Sequence, residues 1–174
     1  NKKFEDVIAC FAAYKEKYDP TARLFLVGNY QETDAYYQYL QDVIKKCGAE
    51  DVIFPGHIAF NAILAYYKIA DLFLCMSEHE GFCVPLVDAS TAIPGTLGGS
   101  GVLVETKEPE MVAETMNRVM QDAEYRSEIL KKQDERLKDF AYESIRGQIL
   151  DEIEKVQQSK IDKVRKQNGE EKAD

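Results

Sequence analysis

Apolar side chains recur along the chain at two spacings. Some recur every three or four residues, which predicts amphipathic helices; these stripes cover Phe4–Ala12, Tyr37–Cys47, Asn61–Ala70 and Pro109–Gln121. Others form short uninterrupted runs, which are typical of strands buried on both faces; these are Arg23–Val27, Val52–Phe54, Asp71–Met76 and Val102–Val104. Because strands and helices alternate, the pattern predicts an α/β fold, a doubly wound parallel sheet with helices on both faces.

The C-terminal part of the chain differs from the rest. From Glu124 onward the pattern is helical without further strand-like runs, and the chain ends in a charged segment. We therefore predict a Rossmann-like domain over residues 1–140, a C-terminal helix over 141–162 and a charged, disordered tail over 163–174. The apolar stripe of that helix either packs on this domain or faces a separate one; it consists of Ile145, Ile149, Ile153 and Val156.

Two strands of the predicted sheet have no counterpart in the sequence. A doubly wound domain opens on a strand, whereas this chain opens on a helix. A helix is predicted to include Ala89, and the alternation demands that a strand follow it before Thr96. The residues in between, Ser90–Gly95, contain no strand-like run. We expect that the first strand and roughly ten residues after Ala89, about one strand with its connection, are absent from this chain.

Charge and cysteine content narrow the class of protein. The 174 residues include 22 basic and 31 acidic side chains, a net charge of −9, which argues against binding to nucleic acid or an anionic membrane. No apolar stretch reaches the length of a membrane span, and no signal peptide opens the chain. The four cysteines lack Cys-x-x-Cys spacing, which favours reduced, buried thiols in a cytoplasmic protein. With 2 histidines, no metal cluster is expected.

The most informative stretch is residues 77–88, which follow the third strand-like run. It contains carboxylates, a glycine turn and Pro85, a residue type favoured in the first turn of a helix. Glu80 therefore lies where a strand ends and a helix begins, at the edge where open α/β sheets bind ligands. Asp88 follows it after the loop and the first helical turn, so both carboxylates can face one ligand.

The sequence supports two other functions less well, a serine hydrolase and an enzyme with a nicotinamide cofactor. Ser77, Glu78 and His79 suggest a hydrolase in which the histidine activates the serine. Adjacent residues of an extended segment point to opposite sides, so the geometry for that reaction is poor, and His79 more simply shapes the loop. Gly28 follows the first strand, but the chain contains no Gly-x-Gly-x-x-Gly, which argues against a nicotinamide cofactor.

Four sequence blocks follow one another along the chain: Leu24–Gly28, Val52–His57, Glu80–Ala89 and Leu97–Val104. Together they resemble the retaining glycosyltransferases of family 4. The third block is similar to the family signature Glu-Gly-Phe-Gly-x-Pro-x-x-Glu-Ala, with Cys83 in place of a glycine and Asp88 in place of the second glutamate. The resemblance extends from Lys3 to about Phe140 and implies the C-terminal, donor-binding half of a GT-B fold, with C-terminal helices.

The resemblance implies a site for a nucleotide-diphosphate sugar, UDP- or GDP-linked, without a metal or other cofactor. Glu80 is the implied catalytic residue and contacts the donor sugar, whereas Asp88 accepts hydrogen bonds from the ribose diol. Lys3 binds the diphosphate, and the backbone of His57 and Ile58 borders the base. The full set of implied donor-binding residues is Lys3, Gly28, His57, Ile58, Gly81, Phe82, Cys83, Val84 and Asp88.

Each of these residues also has a structural alternative. Lys3 can be a solvated surface lysine, Glu80 an acid that complements a helix N-terminus, and Asp88 an exposed helical acid. The turn that contains His57 can serve packing alone.

The implied activity is hexosyl transfer, with the acceptor site on an N-terminal GT-B domain that this chain lacks. The chain alone would then catalyse little or nothing. A nucleotide-sugar epimerase or hydrolase of the same architecture and an inactive scaffold domain are the alternatives. We expect a cytoplasmic protein, or one held peripherally at the membrane by the other domain, with no nucleic-acid partner.

Overall fold

Helices and parallel strands alternate in the computed structural model, which describes residues 2–77, 98–143, 146–147, 149–151 and 153–158. The elements in chain order are α1 (Phe4–Lys17), β1 (Leu24–Val27), α2 (Ala35–Cys47), β2 (Val52–Gly56), α3 (Phe60–Ile69), α4 (Pro109–Gln121) and α5 (Ala123–Asp139). The described residues from 142 to 158 are also helical. The chain divides into two compact units, residues 1–132 and 133–174.

The two strands are parallel, which confirms the α/β class. Leu24 pairs with Val52 and Phe25 with Ile53, but the next pair is Val27 with Gly56, so β2 carries one extra residue. Pro55 lies in that irregular stretch, where its missing N–H removes no regular ladder bond. Parallel strands need a long crossover, and α2 supplies it.

The first helix is the centre of the core. Ile8 and Cys10 are fully buried, and α1 packs against α4, α2 and β1. The opposite face of the sheet is covered by α3, because the ring of Phe25 contacts Tyr66 whereas its neighbour Leu24 packs with the α1 core. Helices therefore cover both faces of the sheet, as the alternation predicts. The buried core cluster comprises Val7, Ile8, Cys10, Leu26, Leu40, Ala49, Met76 and Val112.

Local end signals set the helix boundaries. Gly48 follows α2 in the left-handed conformation, φ 61°, and its N–H reaches the carbonyls of Ile44 and Lys45. Pro109 opens α4, where the absent N–H is not needed. The predicted bounds of α4 are confirmed at both ends.

Two predicted strands are wrong within the described residues. Asp71–Met76 and Val102–Val104 have no strand pairing; the described sheet has two strands, β1 and β2. Both runs nevertheless contact the core, since Met76 belongs to it and Leu74 and Val104 pack against it, whereas Phe73 and Leu103 are about half exposed. An apolar run indicates that part of a segment packs inside the protein, whereas a strand also needs a neighbouring strand with which to exchange backbone hydrogen bonds.

The connection between α1 and β1 is held by one lysine. Lys15 Nζ donates to the carbonyls of Pro20 at 2.6 Å and Ala22 at 3.0 Å, and to Asp51 Oδ2 at 2.9 Å. Asp51 immediately precedes β2 and has φ 60°, a left-handed conformation that is unfavourable for a non-glycine residue. Lys15 therefore joins both strand starts.

The prediction that the cysteine thiols are buried is correct for Cys10 and wrong for Cys47. Cys10 is buried, and burial followed by the charge of Asp6 raises its pKa to about 11, so the thiol is inert. Cys75 is half-buried, and Cys47 is exposed because it ends α2 away from the core. Cys83 lies outside the described residues.

The second unit is helical in its described part. Arg136 donates to Asp139 Oδ2 at 2.6 Å and lies over the ring of Phe140, 4.8 Å from its centroid. Ile149, Ile153 and Val156 are about half exposed. No helix in the described part of the chain is long and apolar enough to cross a membrane.

Candidate functional site

The carboxyl ends of β1 and β2 form one edge. Because Val27 pairs with Gly56, the residues that follow them, Gly28 and His57, lie next to each other at this edge. Both are exposed, and Ile58 is half-buried. A Cβ at Gly28 would meet nothing within 4 Å, so open space faces this backbone. The structure thus brings three of the predicted residues together where α/β sheets bind ligands.

An aromatic cluster fixes the loop after β1 against the end of β2. Tyr30 and Tyr37 stack with their ring centroids 4.6 Å apart, and Phe54 meets both rings edge-on. The Tyr30 hydroxyl donates to the carbonyl of Phe54 at 3.1 Å. Gly56 adopts φ 77°, a conformation suited to glycine. The loop that carries Gly28 is therefore held rigidly by packing and one hydrogen bond.

Lys3 lies at the start of α1 in an unusual backbone conformation. Its φ of 53° is left-handed, and its carbonyl accepts from the N–H groups of Asp6 and Val7. Left-handed backbone costs roughly 1–2 kcal/mol for a residue with a side chain. Such strain is concentrated at binding sites, although it does not by itself identify one. The side chain of Lys3 is 32% exposed, so an anion can reach the ammonium.

Glu5 and Tyr36 hold the start of α1 to the start of α2. Lys3 Nζ lies 3.7 Å from Glu5 Oε1, and the Tyr36 hydroxyl donates to Glu5 Oε2 at 2.7 Å. The same hydroxyl accepts from the N–H of Phe4 at 3.0 Å. The phenol satisfies one of the N–H groups left without a partner at the helix start, while it positions the carboxylate beside Lys3.

The electrostatics of this cluster follow from these contacts. Partial burial tends to raise the pKa of Glu5, but the bonds from Tyr36 and from the backbone, together with the charge of Lys3, outweigh it and lower that pKa. Burial, and then the bond to Glu5, raises the pKa of Tyr36 to about 12. Near neutral pH, Glu5 is therefore ionised and Tyr36 is a neutral donor.

Acids balance the cations around this helix start. Glu5 and Asp6 occupy the first turn of α1, where negative charge complements the helix dipole. Lys107, which precedes α4, pairs with Asp6 at 3.0 Å, as Lys3 pairs with Glu5. An anion that approaches Lys3 would therefore have to compete with Glu5, an exchange between partly exposed groups that costs little.

Six of the predicted site residues lie outside the described residues: Glu80, Gly81, Phe82, Cys83, Val84 and Asp88. The described chain reaches the edge of that segment at Ser77, which is 4% exposed and whose Oγ lies 3.3 Å from Cys75 Sγ. A hydroxyl this buried is poorly exposed to solvent, which is consistent with the poor geometry expected for Ser77 as a hydrolytic nucleophile.

Sequence reasoning missed the two residues that position Lys3. An acid in the first turn is a recognisable signal, so Glu5 could have been found as a helix-start residue. Tyr36 carries no such signal, because it lies 31 residues away from the carboxylate it binds. Among the described residues, no group of three His, Cys, Asp or Glu side chains is arranged to hold a metal ion.

The chain is similar to known sugar-transferring proteins. Residues 1–93, which include Glu80 and Asp88, match the family model "Glycosyl transferases group 1". Over 95 residues the chain is 36% identical to mannosylfructose-phosphate synthase of Agrobacterium fabrum (strain C58 / ATCC 33970), a match over 51% of this chain and 20% of that relative. No solved structure matches the chain. Because the family model covers more than half of its 174 residues, the chain belongs to the group 1 glycosyl transferases.

Proposed function

We propose that this chain is the donor-binding domain of a retaining glycosyltransferase of family 4, one half of a GT-B fold. It binds a nucleotide-diphosphate sugar, UDP- or GDP-linked, whose hexosyl group passes to an acceptor held by an N-terminal domain. The observation that carries the proposal is the family match over residues 1–93, a range that includes the two carboxylates of the motif. In this proposal the protein is cytoplasmic or peripheral at the membrane.

The chemistry requires positive charge at the leaving group. Breaking the bond between a sugar and a diphosphate builds negative charge on that diphosphate, and fixed donors in a cleft stabilise it. Lys3 at the start of α1 is one such donor, because its ammonium is accessible and is held by Glu5. The α1 N-terminus adds its own partial positive charge. Charge stabilisation in this proposal uses no metal.

The remaining roles follow the edge of the sheet. Glu80 contacts hydroxyls of the donor sugar, the amides of Gly81, Phe82, Cys83 and Val84 lie along the sugar and phosphates, and Asp88 accepts from the ribose. The open space at Gly28 suits a nucleotide that approaches the backbone closely. The exposed turn at His57 and half-buried Ile58 supplies backbone groups for the base.

The relative supports hexosyl transfer in particular. Its name describes a synthase of mannosylfructose phosphate. The matched region is 20% of that relative's length, so the rest of the reaction is assigned by proposal to chain beyond this domain. This favours a transferase over an epimerase or an inactive scaffold of the same architecture.

The test is turnover by the full-length protein with a panel of sugar nucleotides, followed by mass spectrometry of the products. We expect one donor to give a glycosylated acceptor, and the Glu80→Gln variant to lose transfer by roughly 10²-fold or more, with its Tm nearly unchanged. Normal turnover in Glu80→Gln would remove this residue from the site. Release of free sugar without acceptor dependence would favour a hydrolase.

A further inference from the structure

The carboxylate of Glu5 contacts two different groups, and it holds them unequally. Its Oε2 accepts a hydrogen bond from the Tyr36 hydroxyl at 2.7 Å, whereas its Oε1 lies 3.7 Å from Lys3 Nζ. The first distance is that of a strong, charge-assisted hydrogen bond, and the second is beyond the range of a direct one. Glu5 can therefore give up the ammonium of Lys3 and keep its anchor on Tyr36.

That anchor is fixed by contacts that do not involve Lys3. The Tyr36 hydroxyl accepts from the N–H of Phe4 at 3.0 Å while it donates to Glu5, so its orientation is set from both sides. The Tyr36 ring also stacks on that of Tyr39 in the next turn of α2, with the centroids 6.3 Å apart. Because Tyr36 is held in place, it keeps the carboxylate within reach of Lys3 at little cost in side-chain entropy.

A second ion pair in the same helical turn provides a comparison. Asp6 Oδ2 lies 3.0 Å from Lys107 Nζ, and each of these two side chains is more exposed than its counterpart in the Glu5–Lys3 pair. Both acids lie in the first turn of α1, where they complement the helix dipole. Glu5 differs from Asp6 in its partner, which is the lysine to which the proposed function assigns the diphosphate.

We propose that Glu5 is an internal competitor of the donor diphosphate. Its carboxylate pairs with Lys3 when no donor is bound, yields Lys3 to the diphosphate of the donor, and recovers it as the nucleoside diphosphate leaves. Tyr36 is the positioning residue that keeps the carboxylate in place during this exchange. This role of Glu5 rests on the proposed function, in which Lys3 binds the diphosphate, and it extends that function to the release of the product.

Group transfer changes the charge that Lys3 meets. Within the donor, the second phosphate is esterified by the sugar; after transfer it is a terminal phosphate, which gains further negative charge near neutral pH. Coulomb attraction therefore makes Lys3 hold the product more firmly than the donor. Release of product limits the rate of many enzymes. A carboxylate that waits on Tyr36 beside Lys3 opposes this attraction and speeds the departure of the nucleoside diphosphate.

The test is isothermal titration calorimetry of the full-length protein with UDP, GDP and inorganic pyrophosphate. Glu5→Gln removes the charge and keeps the shape of the side chain, so we expect it to lower the Kd of pyrophosphate and of the preferred nucleoside diphosphate by about three- to fivefold, the effect of one partly exposed ion pair. The Kd of the nucleoside alone should not change. Weaker or unchanged diphosphate binding in Glu5→Gln would exclude competition by Glu5.

Asp6→Asn is the matched control, since it removes the same charge from the same turn but from the partner of Lys107. It should change each Kd by less than about 1.5-fold, because salt screens charges that are not in contact with the ligand. A gain in affinity as large as that of Glu5→Gln would show that general charge, and not competition for Lys3, controls binding.

A double-mutant cycle separates competition for Lys3 from direct repulsion of the ligand. If Glu5 acts through Lys3, Glu5→Gln should leave the Kd of pyrophosphate unchanged in the Lys3→Ala background. An equal gain in affinity with and without Lys3 would show that Glu5 repels the ligand directly, and would overturn the proposal.

Tyr36→Phe tests the positioning role. We expect it to lower the Kd of the diphosphate by about twofold, because Glu5 is then held less firmly beside Lys3. Damage to the fold would weaken binding, so a gain in affinity cannot come from it. This variant also decides the question if Glu5→Gln does not fold, since weaker or unchanged binding in Tyr36→Phe would contradict the exchange.

Failure of this role is distinguishable from failure of the proposed function. If the parent protein binds no nucleoside diphosphate, the proposed function is wrong, and the role of Glu5 in product release with it. If a nucleoside diphosphate binds equally well to the parent protein and to Lys3→Ala, the donor site stands and competition for Lys3 is excluded.

Discussion

At the scale of single residues, Lys3 is the described side chain on which the proposed chemistry depends most. Its ammonium is partly exposed, its backbone is left-handed, and Glu5 holds it 3.7 Å away. Lys107 provides a natural comparison, since it also pairs with an acid in the first turn of α1 but is more exposed. If Lys3 binds phosphate, its substitution should weaken ligand binding more than substitution of Lys107. If only general surface charge matters, the two substitutions should have similar effects.

Lys3→Ala in the full-length protein should raise the Kd for a nucleoside diphosphate by roughly ten- to a hundredfold, because a charged hydrogen bond contributes about 1.5–3 kcal/mol. Its effect on binding of the nucleoside alone should be small. Isothermal titration calorimetry measures both, with Lys107→Ala as the matched control that should leave both values within about threefold. Equal losses for nucleoside and diphosphate would argue against a phosphate role.

The raised pKa of Tyr36 predicts that the folded state loses stability at alkaline pH. The folded state keeps its proton up to a pKa of about 12, whereas the unfolded chain releases it near the ordinary 10.0. Between these values the unfolded state binds fewer protons, so stability falls as pH rises. In the Tyr36→Phe variant, the free energy of unfolding measured in urea should therefore fall less between pH 10 and 12 than it does in the parent chain. A decline as steep as in the parent chain would show that other groups cause it.

At the scale of elements, Lys15 connects pieces that are far apart in sequence. Its ammonium bonds two carbonyls of the α1–β1 connection and the carboxylate before β2, and it lowers the pKa of Asp51 through that bond and its charge. The lysine is 12% exposed, so water cannot readily replace it. The starts of β1 and β2 are thereby held together at the edge opposite the candidate site.

Lys15→Met keeps the aliphatic stem but leaves the carbonyls of Pro20 and Ala22 without their donor. We expect unfolding free energy to fall by about 1–3 kcal/mol in urea titrations. Lys17→Met, at an exposed position of the same helix, is the matched control and should change stability little. Similar losses in both variants would mean that helix charge, and not the bonds of Lys15, is responsible.

At the scale of the whole molecule, the proposal predicts that a nucleotide stabilises the folded protein. A ligand at a hundredfold excess over its Kd adds about 2.7 kcal/mol, which raises the Tm by several degrees. Thermal melts of the full-length protein with UDP, GDP and ADP should show one preferred base, and inorganic phosphate should have a smaller effect. A shift with a peptide partner and none with any nucleotide would favour a scaffold domain.

Much of the fold could be predicted from local patterns. Pro109 and Gly48 mark helix ends through their own backbone restrictions, and the stripe of α1 marks the face that becomes the core. These signals act over a few residues, so they can be read without knowing the rest of the chain. The group 1 glycosyl transferase family could be recognised in the sequence too, because each of the four blocks that carry the resemblance is contiguous and the blocks follow one another in the right order.

The sequence by itself determined where the helices lie, which residues are apolar enough for the interior, and which family the chain belongs to. Only the tertiary structure decided that Tyr36 binds Glu5, that Asp71–Met76 is packed without pairing, and that β1 borders an open groove. The physical reason is the distance along the chain over which each kind of interaction acts. Turn and helix preferences arise from neighbouring residues, whereas strand pairing and side-chain partners depend on segments that meet only when the chain is folded.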